Sequence, residues 1–263
     1  VVMDAWTGEI LAAVSLPDFA PADINTAGDE ARFNRYALGV YELGSVMKVI
    51  NTAAALESGR ANINDFFDAS RSLQIGRFTI NDYHREGRWL SVPEVFLYSS
   101  NIGAARMALE MGGAFQHEFL CKVGLCTALP LELGEVGRPL LPTRWPDVTV
   151  ATVAFGHGIS LTPLHLVRAT ATIMNGGHLV APTFLAQPAP VAPQGPVVVS
   201  ARTVDLMRRI MRANVTSPEG SGGKADVPGY FVGGKTGTAE KTVGRRYSQD
   251  ARLSSFIAAF PSY

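Results

Sequence analysis

Along residues 45–58 apolar residues stand at 46, 47, 49, 50, 53, 54 and 56, among others, and Gly59 stands where a left-handed closing residue belongs. The pattern predicts a mostly buried helix beginning at Gly44-Ser45. Shorter helices are predicted over 92–98, with Pro93 in the first turn, and over 102–111, closed by Gly112-Gly113. Ser99-Ser100-Asn101 makes the break between them. Thr162-Pro163 reads as an N-cap followed by a proline, opening a helix to about Met174, and another helix covers about 201–213. At the chain's start, 1–3 and 10–16 read as a hairpin around the turn 4–8. At its end, 231–241 and 253–260 read as two strands joined by a turn near Gly244. Residues 60–90 are polar and weakly periodic, a surface excursion, and the prolines of 127–150 predict a long loop. Strands at both ends with helices between predict an α+β fold whose first and last strands are neighbours in one sheet, with helices packed on it.

Composition narrows the function. With 263 residues, 47% hydrophobic and 17% charged, the chain has enough apolar surface for one large domain or two small ones. Its 23 basic and 23 acidic residues balance, which argues against a polyanion binder and against a nucleic-acid partner. No apolar run reaches the length of a membrane span. The chain starts at Val1 without a leader, and the apolar run 253–260 stops at Pro261, so the sequence reads as a piece of a longer protein. Its five histidines show no ligand spacing, and neither a metal site nor a cofactor is expected. Cys121 and Cys126, in CKVGLC, fit neither a redox nor a zinc spacing. They are expected as two buried free thiols, since a disulfide would require a helix ending near Gly124.

Three short patterns carry chemistry. Ser45-Val46-Met47-Lys48 is an S-x-x-K at a helix start, where i and i+3 share a face and the amine can reach the hydroxyl. A neutral lysine can take the serine's proton, and the helix N-terminus can steady an oxyanion. Ser99-x-Asn101 lies in the break between two helices and offers a proton-relaying hydroxyl and an amide. Lys235-Thr236-Gly237, with Thr238, sits on a strand, where a cation beside a hydroxyl can hold a carboxylate and a glycine lets a substrate backbone lie along the edge. Each pattern alone has an ordinary explanation in capping, turn-making or surface charge. A second S-x-x-K, Ser221 to Lys224, lies in the Gly/Ser-rich loop 217–223 and is taken as a decoy. Only five of the basic residues are lysines, and two of them occupy the motif positions in the required order.

S-x-x-K, S-x-N and K-T-G in this order are the signature of penicillin-binding proteins and related serine β-lactamases. The chain resembles the transpeptidase domain of class B penicillin-binding proteins, above all the division-specific, penicillin-binding protein 3 type. The similar stretches run nearly end to end, among them VVMDAWTGEILAAVSLPDF, FNRYALGVYELGSVMKVINTAAALESG, TVAFGHGISLTPLHLVRATATIMNGG, GGKTGTAEK and RLSSFIAAFP. Leu43-Gly44-Ser45-Val46 stands where the family usually has Pro-Gly-Ser-Thr.

The resemblance implies a penicillin-binding protein/serine β-lactamase-like α+β fold, an antiparallel sheet of N- and C-terminal strands flanked by helices, plus an all-helical subdomain. It implies that 1–263 is a transpeptidase domain lacking the family's final strand and helix, its membrane anchor and its pedestal domain. Ser45 would be the nucleophile, Lys48 the base, Ser99 a proton relay and Asn101 the holder of the acyl amide. Lys235 and Thr236 would bind the substrate carboxylate at the Gly237 strand edge, and the N–H groups of Ser45 and Thr238 would form the oxyanion hole. The implied partners are peptidoglycan stem peptides ending in D-Ala-D-Ala, β-lactam antibiotics, and division-machinery membrane proteins including a glycosyltransferase. The implied location is the periplasmic face of the bacterial inner membrane. A class A β-lactamase shares the motifs, but the E-x-x-L-N that commonly carries its deacylating Glu is missing from this sequence. A D,D-carboxypeptidase and a non-turnover β-lactam sensor are the remaining readings. For His157, between two glycines, the sequence favours an ordinary role over one at the cleft border, nothing in it decides whether Arg85, Arg88 and Trp89 face substrate or partners, and the sequon Asn214-Val215-Thr216 is taken as idle.

Overall fold

The computed structural model describes residues 1–188, 192–243 and 246–262, with the backbone alone between 240 and 251. A hairpin of β1 (Val2–Met3) and β2 (Ile10–Ala12) opens the chain, followed by the single turn α1 (Asp29–Arg32). A 3-10 turn over Gly44–Met47 runs directly into α2 (Lys48–Glu57). Four short strands come next: β3 (Phe66–Asp68), β4 (Leu73–Ile75), β5 (Phe78–Ile80) and β6 (Trp89–Ser91), with β3 pairing β6 and β4 pairing β5. Helices α3 (Val92–Leu97), α4 (Asn101–Met111), α5 (Gly113–Lys122), α6 (Asp147–Val153), α7 (Pro163–Met174) and α8 (Ala201–Thr216) lead to the long antiparallel pair β7 (Gly233–Val243) and β8 (Arg246–Ala259).

The core forms around α2. Val49, Ile50 and Ala53 to Ala55 are buried on it, and its alanines let α4 approach with its own buried Ala104, Ala105 and Ala108. Small residues at the crossing replace side-chain bulk by close backbone contact. Gly103 of α4 makes room for α3 in the same way, because a Cβ there would meet the Val95 side chain at 2.4 Å. Helix α8 packs on β7 and α2 through Val204, Met207, Ile210, Met211 and Val215, the i, i+3, i+4 spacing of a single apolar face. Ser91 begins α3 with a capping box, its hydroxyl accepting from Glu94 N and its N–H donating to Glu94 Oε2. Arg88 donates to the same carboxylate, whose pKa is lowered to about 2, chiefly by that bond.

Several expectations need correction. The N- and C-terminal strands form separate two-stranded ladders among the described residues, not one sheet. The opening turn is tied elsewhere: Asn175 Nδ2 donates to Ala5 O, and Ile10 N donates to Thr183 O, which fixes the hairpin to the C-cap of α7 and to the segment that follows it. The long loop expected over 127–150 gives way at its end to α6, for which Pro146 is the N-cap rather than a loop residue. The turn near Gly244 lies outside the described residues. Cys121 and Cys126 are joined in a disulfide, not free and buried. The condition for it is met, as α5 stops at Lys122 and Gly124 takes φ +83 to turn the chain back. His117 lies within 4.8 Å of both sulfurs, but these are bound to each other and offer no thiolate to a metal. No helix among the described residues is long and apolar enough to cross a membrane.

Candidate active site

The first motif is assembled by local geometry. Gly44, at φ +65, lets the chain turn into the 3-10 segment that carries Ser45, and Lys48 is the first residue of α2. One turn separates them, and Lys48 Nζ lies 2.9 Å from Ser45 Oγ. The lysine is 1% exposed. Its nitrogen also contacts Ser99 O at 2.6 Å, Asn101 Oδ1 at 2.7 Å and Ser99 Oγ at 3.1 Å. The second motif therefore closes directly on the first. Ser99 is held at φ +57, an uncommon conformation for a residue with a side chain, and this turns both its carbonyl and its hydroxyl onto the amine.

The charge state follows from the surroundings. Burial pushes the Lys48 pKa well below the usual lysine value, the Lys235 cation pushes it further, and the Asp82 carboxylate partly opposes them. A neutral amine has two hydrogens and one lone pair. Ser99 O and Asn101 Oδ1 can only accept, so they take the hydrogens, and the lone pair is left for a hydroxyl proton. Ser45 Oγ is within reach to supply it.

Asp82 escaped sequence reasoning. It comes from the polar excursion and is buried under the N-terminus of α4, accepting from Asn101 N at 2.5 Å, Ile102 N at 2.9 Å and Ser100 Oγ at 2.7 Å. A carboxylate there satisfies N–H groups that the helix leaves unpaired and complements its dipole. Asn101 Nδ2 donates in turn to Asn81 O. Asn81-Asp82 thus fixes the S-x-N turn, and the only signal for it was an Asn-Asp pair in a segment without periodicity.

The third motif lies on β7. Lys235 is fully buried, its Nζ 5.7 Å from the centre of the Phe96 ring. Burial lowers its pKa to about 8. Among the described residues it has no carboxylate in ion-pair range. Its polar contacts are Ser221 Oγ at 3.2 Å and Thr236 O at 3.3 Å. Thr236 Oγ1 donates to the same Ser221 Oγ at 2.8 Å. The serine set aside as part of a decoy motif therefore touches two motif side chains, while exposed Lys224 plays no part in these contacts.

Glycines bring β7 and the Ser45 turn together. A Cβ at 237 would lie 2.8 Å from Leu43 O and 2.4 Å from Ser255 Oγ, so this residue's smallness serves the docking of the turn as well as an open strand edge. A Cβ at 44 would meet Thr238 O at 2.5 Å, and one at 156 would meet Gly44 O at 2.4 Å. Gly44 is held between the strand and the 156–158 loop, which Gly158 N ties to Glu42 Oε1. His157 borders this turn through the loop's backbone, its ring edge-on to Phe155. Arg85 bonds Ser72 and Asn81, Arg88 pairs with Glu94, and Trp89 is exposed. Asn214 of the sequon is fully buried, its Nδ2 donating to Gly234 O.

A serine at a helix start with its hydroxyl on a buried lysine, and a second buried lysine on a neighbouring strand, are the groups a serine acyl-transfer site would use. The comparisons with known proteins bear on the chain as a whole. Residues 1–262 match the model of the penicillin binding protein transpeptidase domain, and the chain belongs to that family. It is 43% identical over 265 residues to a probable peptidoglycan D,D-transpeptidase FtsI of Caulobacter vibrioides, covering 100% of this chain and 45% of that protein. It is 33% identical over 264 residues to the probable peptidoglycan D,D-transpeptidase PenA of Neisseria gonorrhoeae, with the same coverage. Among solved structures, the transpeptidase domain of Burkholderia pseudomallei penicillin-binding protein 3 superposes with TM-score 0.87 at 31% identity, over 98% of this chain and 74% of that one. Penicillin-binding protein 3 of Mycobacterium tuberculosis, complexed with aztreonam, gives 0.88 at 28% identity, over 99% of this chain and 62% of that one. The chain thus spans under half the length of these curated relatives.

Proposed function

We propose that this chain is the acyl-transfer domain of a division-type peptidoglycan D,D-transpeptidase, acting on stem peptides that end in D-Ala-D-Ala at the periplasmic face of the inner membrane. The observation that carries the reading is the Lys48 amine, buried and bonded to Ser45, Ser99 and Asn101. Ser45 Oγ attacks the carbonyl carbon of the terminal D-Ala–D-Ala bond while its proton passes to Lys48 Nζ. The tetrahedral oxyanion faces the N–H groups of Ser45 and Thr238, and each such donor contributes roughly 3–4 kcal/mol in comparable acyl transfer. Lys235 and Thr236 hold the terminal carboxylate along the Gly237 edge, and Asn101 holds the acyl amide. Collapse breaks the peptide bond, and D-alanine leaves with a proton delivered from Lys48 through Ser99. The amine of a second stem peptide then attacks the acyl-enzyme, its proton returns to Ser45, and a cross-link is made. A β-lactam enters by the same attack and leaves a ring-opened acyl group on Ser45. Division-machinery membrane proteins, a glycosyltransferase among them, would engage through other parts of the whole protein.

The test supplies a D-Ala-D-Ala stem peptide with and without a free-amine acceptor. The expected result is D-alanine release with a cross-linked product that forms only with acceptor. Release with hydrolysis alone would mark a D,D-carboxypeptidase instead.

A further inference from the structure

The Gly/Ser-rich segment after α8 is held as a built part of the cleft. Ser221 N donates to Asn214 Oδ1 at 3.1 Å, and Gly222 N donates to Asn214 O at 3.0 Å. Asn214, fully buried, also donates from Nδ2 to Gly234 O at 2.8 Å, immediately before Lys235. One side chain therefore locks the loop to the strand that carries the K-T-G motif. This places Ser221, itself solvent-exposed, over the buried ammonium of Lys235.

We propose that Ser221 is a specificity-determining residue, a third group of the carboxylate-holding site formed with Lys235 and Thr236. The proposal rests on the transpeptidase reading and deepens it. Ser221 Oγ accepts from Lys235 Nζ and from Thr236 Oγ1, which uses both of its lone pairs. Its own hydrogen has only the long contact of 3.4 Å to Asn214 Oδ1. Rotation of the hydroxyl turns that hydrogen into the cleft at the loss of little. Donation by the lysine polarises the serine O–H, so it becomes a better donor to an anion than an isolated hydroxyl, while the single Thr236 hydrogen turns from Ser221 to the carboxylate when the ligand binds. The fitting ligand group is a carboxylate at the end of the donor peptide or on a β-lactam ring. A neutral ester or amide at the same position gains nothing from the Lys235 charge and less from the hydroxyl.

The experiment measures acylation rates of the chain by benzylpenicillin and by its methyl ester, with intact mass as the readout, for wild type, Ser221→Ala and Ser221→Thr. The wild type is expected to prefer the acid. Ser221→Ala is expected to shrink the acid-to-ester ratio by about 10-fold or more, the weight of one hydrogen bond to a charged group. Ser221→Thr is expected to restore most of it. General damage to the cleft slows both ligands together and leaves the ratio as it was. An unchanged ratio in Ser221→Ala overturns the proposal with the transpeptidase reading intact. No adduct on wild type with either ligand overturns both.

Discussion

The Asp82 carboxylate accepts the backbone N–H of Asn101 at 2.5 Å, across 19 residues of chain, and so sets the turn that closes on Lys48. Its charge also raises the pKa of that lysine against the larger effects of burial and Lys235. Asp82→Asn keeps the shape and removes the charge. The lysine must be neutral to accept a proton, so acylation falls as pH drops through its pKa. Without the opposing carboxylate that pKa moves lower, and the acid limb of the acylation profile is expected at lower pH than in wild type. Weakened bonds to the helix end should also lower stability by about 1–3 kcal/mol. An acid limb that stays in place would contradict the coupling.

Lys235 gives two pH dependences of opposite sign. Its pKa in the fold is about 8 against an ordinary 10.5. The cation that holds a carboxylate is lost above about pH 8, so acylation by carboxylate-bearing ligands should decline there. Stability moves the other way. Between about 8 and 10.5 the unfolded chain binds the additional proton, so this residue makes folding more favourable as pH rises through that window. Below pH 8 its burial costs on the order of 3 kcal/mol. Urea unfolding at pH 7 and pH 10 should show Lys235→Met gaining on wild type at the lower pH and losing that advantage at the higher.

Gly44 is expected to tolerate no side chain. Alanine there combines a positive φ with a Cβ 2.5 Å from Thr238 O, so the strand and the Ser45 turn must separate. A shift of this kind between nucleophile and oxyanion donors is expected to slow acylation about 100-fold. Gly44→Ala acylating at the wild-type rate, measured well below its melting transition, would contradict the account.

What was readable in the sequence is what local spacing decides. Ser45 and Lys48 meet because i and i+3 share a helical face, and Thr162-Pro163 begins α7 because both residues suit a helix start. Contacts made through space were less legible. Asp82 reaches Asn101 from a segment without periodicity, and Ser221 reaches Lys235 only because Asn214 folds the loop back. The second S-x-x-K pattern treats Ser221 and Lys224 as one object, yet only the serine contacts Lys235 and Thr236. The separate hairpins and the Cys121–Cys126 bond were missed for a related reason. One depends on where the turn 4–8 is tied, the other on the residue at which α5 ends.

The most direct measurement is intact mass, followed by peptide mapping, after incubation with benzylpenicillin. The account predicts one adduct per chain on the peptide containing Ser45, none with Ser45→Ala, and strongly slowed formation with Lys48→Ala. An adduct that persists in Ser45→Ala, or one that forms at the wild-type rate without the Lys48 amine, would contradict it.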